Sequence, residues 1–250
     1  MSATFRDHFA PAADAYAAYR PHYPAALFEW IAAAAPRVTG RAWDCGTGSG
    51  QAAVGLAPSF DTVVATDASV AQVARAAAHE RVHYAVAAAE AAPLAPASVD
   101  VVVVAQALHW MALDAFYAEV RRVVAPGGIV AVWSYALMEI DAAVDPLVLH
   151  LYRDVLGPWW PAERVHVDAG YRDLPFPFAR LDAPAFEMRH AWTREQLVGY
   201  LGTWSAVLRR REAHGDPLPA FAEALAAAWP DARERRTVRW PLALRAGRVA

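Results

Sequence analysis

The hydrophobic pattern changes character twice along the chain. Residues 12–19 are Ala-rich and predict a helix, Pro21 and Pro24 interrupt it, and a second helix follows through Leu27, Trp30 and Ile31. From residue 41 short apolar runs alternate with helical stretches. Strands are predicted at 42–45, 62–66, 82–86, 99–105 and 129–133, with helices at 51–56, 69–79 and 114–123. The run Asp100-Val101-Val102-Val103-Val104-Ala105 has no polar alternation, as expected of a central parallel strand covered on both faces. Alternating strands and helices around such a run predict a doubly wound α/β sheet. After Tyr135 the rhythm is lost, and residues 136–182 are rich in Pro and aromatics, among them Tyr152, Trp159, Trp160, Tyr171, Phe176 and Phe178. These residues predict a cap over the carboxyl edge of the sheet, or an added layer of core. A helix with Thr193 as N-cap is predicted over 192–204, and a last strand over 238–244. The expected division is a helical lid at 1–39, a core at 40–135, a cap at 136–205 and a final helix and strand at 206–250.

Composition narrows the class. Of 250 residues, 57% are hydrophobic and 20% charged, which suits a packed core and not a disordered chain. The longest apolar stretch, around 101–113, is broken by Gln106 and His109 and falls short of the roughly 20 residues of a membrane span. The first ten residues mix Arg6 and Asp7 with apolar positions, so no secretory leader is expected. A single cysteine, Cys45, allows no intrachain disulfide and suggests a reducing, cytoplasmic setting. All 23 basic residues are Arg, and nine of them lie in 201–250 beside five acids. Interleaved acids mark that tail as a solvated face, and nucleic acid is not the expected partner.

The chemistry centres on Asp44-Cys45-Gly46-Thr47-Gly48-Ser49-Gly50-Gln51, between the first strand and the first helix. Glycines there let the backbone turn sharply and approach a ligand. Their alternate spacing, with Gln51 where a dinucleotide loop would carry its third glycine, speaks against NAD and for a nucleoside bearing an amino acid. Asp67 ends the second strand, where an acid can hold ribose hydroxyls or cap a helix. Ala89 and Glu90 follow the third strand, and Gln106 to Trp110 follow the fourth, at the lip where such sheets bind ligands.

These segments resemble the class I S-adenosylmethionine-dependent methyltransferases, on residues 44–51, 66–69, 87–90, 98–110 and 121–135. The Tyr16 to Pro24 stretch resembles the branch containing trans-aconitate methyltransferases. The resemblance implies a seven-stranded, mostly parallel Rossmann-like sheet and S-adenosylmethionine as cofactor. It further implies that Asp44, Gly46, Thr47, Gly48, Gly50 and Gln51 surround the methionine part, Asp67 the ribose, Ala68, Ala89 and Glu90 the adenine. Gln106 and Ala107 would line the methionine side, and Tyr16, Tyr19 and Arg20 would belong to a closing lid. Ala88 stands where many relatives carry Asp, which leaves adenine contact to Glu90 or backbone.

Methyl transfer chiefly requires alignment of nucleophile, methyl and sulfur. His109 is the candidate general base, because an ordinary imidazole titrates near neutrality, or it anchors the loop. Tyr16, Trp110 and Trp133 are candidates to face the sulfonium. A carboxylate acceptor would need no base, and Arg20, Arg164 or Arg172 could bind it. His79-Glu80-Arg81-Val82-His83 matches a zinc-peptidase pattern, but the segment is predicted to straddle a helix end and a strand, so no metal is expected. Cys45 is read as a packing residue. The expected activity is transfer to a small molecule with a carboxylate, hydroxyl or nitrogen acceptor. Action on tRNA or protein, and a non-catalytic binding module, remain alternatives.

Overall fold

The computed structural model describes residues 21–36 and 40–250. The predicted helix at 12–19 and the candidates Tyr16, Tyr19 and Arg20 lie outside the described residues. Helix α1 (Ala25–Ala34) buries Leu27, Phe28 and Ile31. The core then runs β1 (Arg41–Cys45), α2 (Gln51–Leu56), β2 (Thr62–Asp67), α3 (Val70–Val73), β3 (Val82–Val86) and β4 (Val99–Ala105). It continues with α4 (Leu113–Val123) and β5 (Val124–Tyr135). Strand order is β3-β2-β1-β4-β5 with all neighbours parallel.

Period-two alternation along β4 divides the core into two layers. Val102 and Val104 pack with Trp43, Phe116 and Tyr117 on one face. Val101 and Val103 pack with Leu27, Ile31, Leu56 and Trp133 on the other. Each fully buried aliphatic side chain contributes about 1.5–3 kcal/mol, so a strand buried on both faces anchors the fold more firmly than an amphipathic one.

The sheet is extended by β6 (Ala179–Leu181), β7 (Glu187–Trp192) and β8 (Arg236–Arg248). Beta8 runs antiparallel to β5 and is followed by β6, which makes a seven-strand path. The first half of β8 pairs separately with β7. Two readings need correcting here. Trp192 ends β7 and does not open a helix; the helix there, α7 (Arg194–Leu201), starts at the Thr193 cap, where Thr193 and Gln196 form a reciprocal capping box. The predicted helix at 69–79 shrinks to the single turn of α3, because none of its residues is buried and alanine propensity alone does not sustain a helix.

Helices α5 (Asp145–His150), α6 (Arg164–Asp168), α8 (Ser205–His214) and α9 (Leu218–Ala228) complete the described chain. Alpha5 runs on into a π-helical turn, Leu151–Val155. A second hydrophobic core joins Val144 and Leu151 to Trp192, Leu201, Leu225 and Trp240. This core spans the sequence position 205/206, so α8 and α9 share one packed unit with the preceding segment.

The loop after β3 is clamped to α4 by one ion pair. Glu119, buried at 8% side-chain exposure, accepts the Ala92 amide at 2.8 Å and two Arg122 nitrogens at 2.6 and 2.7 Å. Arg122 in turn donates to the carbonyls of Leu94 and Ala92. The Arg122 hydrogen bond holds the Glu119 carboxyl below its ordinary value of 4.5. Its contribution is therefore present above pH 4.5 and lost as pH falls through the lower, folded value. Glu119→Ala should cost about 2 kcal/mol in urea unfolding at neutral pH. The gap to wild type should narrow below pH 4; a pH-independent gap would show that the charge is irrelevant.

Candidate functional site

The carboxyl ends of β1, β2 and β4 meet around the glycine loop. Strand β1 delivers Asp44, which is fully buried, and Thr47 Oγ1 donates to Asp44 Oδ2 at 2.6 Å. Asp44 Oδ1 is also buried and meets no donor at bonding geometry among the described residues. Burial pushes this carboxyl up from 3.8 to about 7, with the Thr47 hydroxyl and the Ala53 amide partly offsetting it. The loop is stitched to β2 by backbone. Gly46 and Thr47 amides both donate to the Thr66 carbonyl, at 2.8 and 2.9 Å.

Asp67 is the second tie. Its Oδ2 accepts the Gly48 amide at 2.8 Å and its Oδ1 the Ser69 amide at 2.9 Å. The cap of α3 is Ser69, whose hydroxyl accepts from Gln72, so Asp67 is not an ordinary N-cap. A carboxylate offers about four acceptor positions, so two amides do not exhaust it.

The three glycines differ in purpose. All have positive φ: Gly46 at +71°, Gly48 at +54° and Gly50 at +86°. A Cβ on Gly46 would lie 2.6 Å from that of Ala107, which places Ala107 directly against the loop. At Gly50 it would lie 2.1 Å from Tyr84 Oη, so that glycine makes room for a neighbour within the protein. Tyr84 donates to the Ala77 carbonyl at 2.7 Å, and the Ala77 amide donates to the Ser49 carbonyl at 3.1 Å. Tyr84 therefore braces the loop from behind, a role that its position inside a predicted strand gives no sign of. A Cβ on Gly48 would meet only an ordinary contact, the Gln72 side-chain oxygen at 3.9 Å.

The remaining candidates divide. Gln51 opens α2 half-buried; Ala68 is exposed beside Val70, which is 68% exposed. Ala89 is half-buried against the first core, whereas Glu90 turns its carboxylate to the Ala112 amide at 3.2 Å. Gln106 adopts φ +55°, unusual for a residue with a side chain, and its amide pairs with the Tyr135 backbone at 2.8 and 3.3 Å. Its side chain thus ties β4 to β5, as does its backbone amide, which donates to the Trp133 carbonyl at 2.9 Å. The segment 79–83 lies across a turn and the start of β3, so its two histidines share no helix face. Cys45 is buried in β1, and desolvation raises its thiol well above the ordinary value, which leaves it unreactive.

His109 sits in the 3-10 turn Leu108–Trp110, with Nδ1 2.8 Å from Tyr171 Oη. Burial, reinforced by the charges of Arg164 and His166, lowers its pKa from 6.5 to about 3. Tyr171 is fully buried at φ +58°, and burial raises its phenol far above its ordinary value. Where the Tyr171 hydroxyl donates to Nδ1, neutral His109 carries its proton on Nε2.

A protein of Dictyostelium discoideum recorded as a candidate methyltransferase is 32% identical over 229 residues, covering 90% of this chain and 87% of its own. The chain belongs to the S-adenosylmethionine-dependent methyltransferases. The methyltransferase domain family matches residues 43–132, which hold the glycine loop, Asp67 and His109. A crystal structure of a candidate type II methyltransferase from Anaeromyxobacter dehalogenans superposes with a TM-score of 0.87. It is 51% identical, over 92% of this chain and 98% of that one. An uncharacterized methyltransferase of Mycobacterium tuberculosis is 39% identical over 122 residues, about half of each chain. This methyltransferase therefore has the class I α/β fold, with S-adenosylmethionine as cofactor. The residues present fit that group, since a Cβ on Gly48 would approach nothing closer than the Gln72 side chain at 3.9 Å and the buried Asp44 Oδ1 on the same loop meets no donor at bonding geometry.

Because the Asp44 pKa is raised on folding, its protonated form stabilises the fold below pH 3.8, and that contribution is lost as pH rises to about 7. Asp44→Asn should therefore gain stability relative to wild type across pH 4–7 and hold a constant advantage above. Urea midpoints at four pH values test this; an unchanging difference would place Asp44 in a hydrated environment.

Proposed function

We propose that this methyltransferase acts on a small-molecule acceptor enclosed between the β4 lip and the segment 152–171. The observation that carries the reading is the His109–Tyr171 hydrogen bond, which draws these two parts of the chain together. When bound, S-adenosylmethionine would supply a methyl group activated on a sulfonium, ready for transfer to an acceptor lone pair. Asp44, Gly46, Thr47, Gly48, Gly50 and Gln51 hold the methionine part, Asp67 the ribose, and Ala68, Ala89 and the neighbourhood of Glu90 the adenine. Gln106 and Ala107 complete the wall by backbone and methyl group.

His109 acts on the acceptor as a neutral donor through Nε2, in place of the general base that an ordinary imidazole would make. An imidazolium with a pKa of about 3 gives little driving force for accepting a proton. The acceptor atom itself is a carboxylate, hydroxyl or nitrogen.

A nucleic acid acceptor is disfavoured by where the tail arginines go. Arg236 pairs with Asp141 and Glu234, Arg239 with Glu139 and Arg211 with Asp216, while Arg210 and Arg235 donate to carbonyls. Internal pairing withdraws the charge that phosphate binding needs. Among the described residues no helix is long and apolar enough to cross a membrane, and the reduced, buried Cys45 suits a cytoplasmic enzyme.

Calorimetric titration with S-adenosylmethionine should show micromolar binding, abolished in Asp67→Ala; silence in both would overturn the cofactor assignment. His109→Gln should lower turnover at least tenfold with cofactor affinity unchanged. Wild-type turnover should show no inflection from His109 between pH 5 and 9, because that group stays neutral throughout. An inflection near 6.5 that vanishes in the variant would restore the base role.

A further inference from the structure

One cation of the segment between β5 and β6 is flanked by aromatic rings and, among the described residues, hydrogen-bonded only through its Nε. Arg164 opens α6, and its Nε donates to Tyr152 Oη at 2.7 Å and lies 3.3 Å from Asp168 Oδ1. The guanidinium carbon stands 5.3 Å from the Tyr152 ring and 4.8 Å from the Trp160 ring. Trp204 closes the group, 5.4 Å from Trp160 and edge-on to Tyr152 at 5.8 Å. The Arg164 side chain is only 21% exposed. Its Nη1 and Nη2 make no hydrogen bond or ion pair with any described residue.

This arrangement is poorly explained by stability alone. Asp168 engages the Nε side, and its oxygens already receive the Tyr152 hydroxyl at 2.7 and 2.9 Å. The far edge of the fork keeps four N–H donors in a mostly desolvated place, where unmade hydrogen bonds are costly. A planar fork of this kind, stiffened by two rings, matches a carboxylate bidentately and loses little freedom on binding it. The site adjoins the proposed acceptor region, because α6 packs against the Leu108–Trp110 turn that carries His109. Trp160 and Trp204 beside it offer flat apolar surface.

We propose that the Nη1/Nη2 edge of Arg164 binds the carboxylate of the acceptor, and that the acceptor is an aromatic acid whose ring rests against Trp160 and Trp204. This rests on the small-molecule reading above and specifies its substrate class. Arg164 is then a binding residue that anchors the acceptor. The carboxylate can itself be the methylated group or hold another atom of the same molecule in line.

Tryptophan fluorescence of the full chain, titrated with benzoate, benzamide and inorganic phosphate, tests the proposal. Benzoate should quench saturably, with benzamide and phosphate at least tenfold weaker. Arg164→Gln should weaken benzoate at least tenfold, and Arg164→Lys should recover part of the loss by keeping charge without the fork. Equal binding of benzoate and benzamide, preference for phosphate, or wild-type benzoate affinity in Arg164→Gln would overturn it. Should Arg164→Gln not fold, Arg164→Lys decides, since unchanged benzoate affinity there also overturns the proposal. Calorimetry with S-adenosylmethionine on the same proteins separates the two readings. Loss of cofactor binding in wild type counts against the methyltransferase assignment, whereas benzoate selectivity reports on the acid subsite alone.

Discussion

The Asp67 carboxylate, bonded at once to the Gly48 and Ser69 amides, is the contact on which the arrangement of the cleft depends. A loop with three positive-φ glycines has high conformational freedom when unfolded, and it is fixed here by charge-assisted bonds to the next strand. The Gly46 and Thr47 amides add two bonds to the Thr66 carbonyl one residue earlier. Beta2 therefore dictates the loop's shape, and register with β1 passes that shape to Asp44. The acid proposed for ribose is in this way also a structural member of the glycine loop.

Desolvation sets the electrostatics on both sides of the cleft. Burial keeps Asp44 near half-protonated at neutrality and His109 neutral. A methyl transfer needs no strong base if its acceptor is already anionic, and a neutral donor then suffices to orient it. Arg164 supplies positive charge to the same region and lowers the His109 pKa further. The histidine, the arginine and an anionic acceptor thus form one consistent set of charges.

Two cores give the molecule its division of labour. The sheet core, built on the doubly covered β4, holds the cofactor loop rigid. The second core gathers residues from 135 to 240 and carries Trp160 and Trp204 at its margin. Beta8 belongs to both, since one half pairs with β5 and the other with β7. The second core is therefore coupled through β8 to the sheet that carries the glycine loop.

The parallel core was legible in the sequence because both of its signals are local. Period and run length mark β1 to β5, and alternately spaced glycines after an acid mark the loop. The helix after β2 was overread, since its length depended on a buried face that the fold never provides. The second core was not legible, as α8 and α9 join it through contacts distant in sequence. Residue types proposed the site, but tertiary structure distributed the tasks within it. Gly50 yields to Tyr84, Gln106 turns to the Tyr135 backbone, Glu90 turns to Ala112, and Tyr171 reaches back 62 residues to bond His109 Nδ1. Sequence alone determines the elements and the cofactor because backbone geometry and periodicity are encoded residue by residue. The protonation and direction of each side chain belong to the tertiary structure, because burial and partners arise only when distant segments meet.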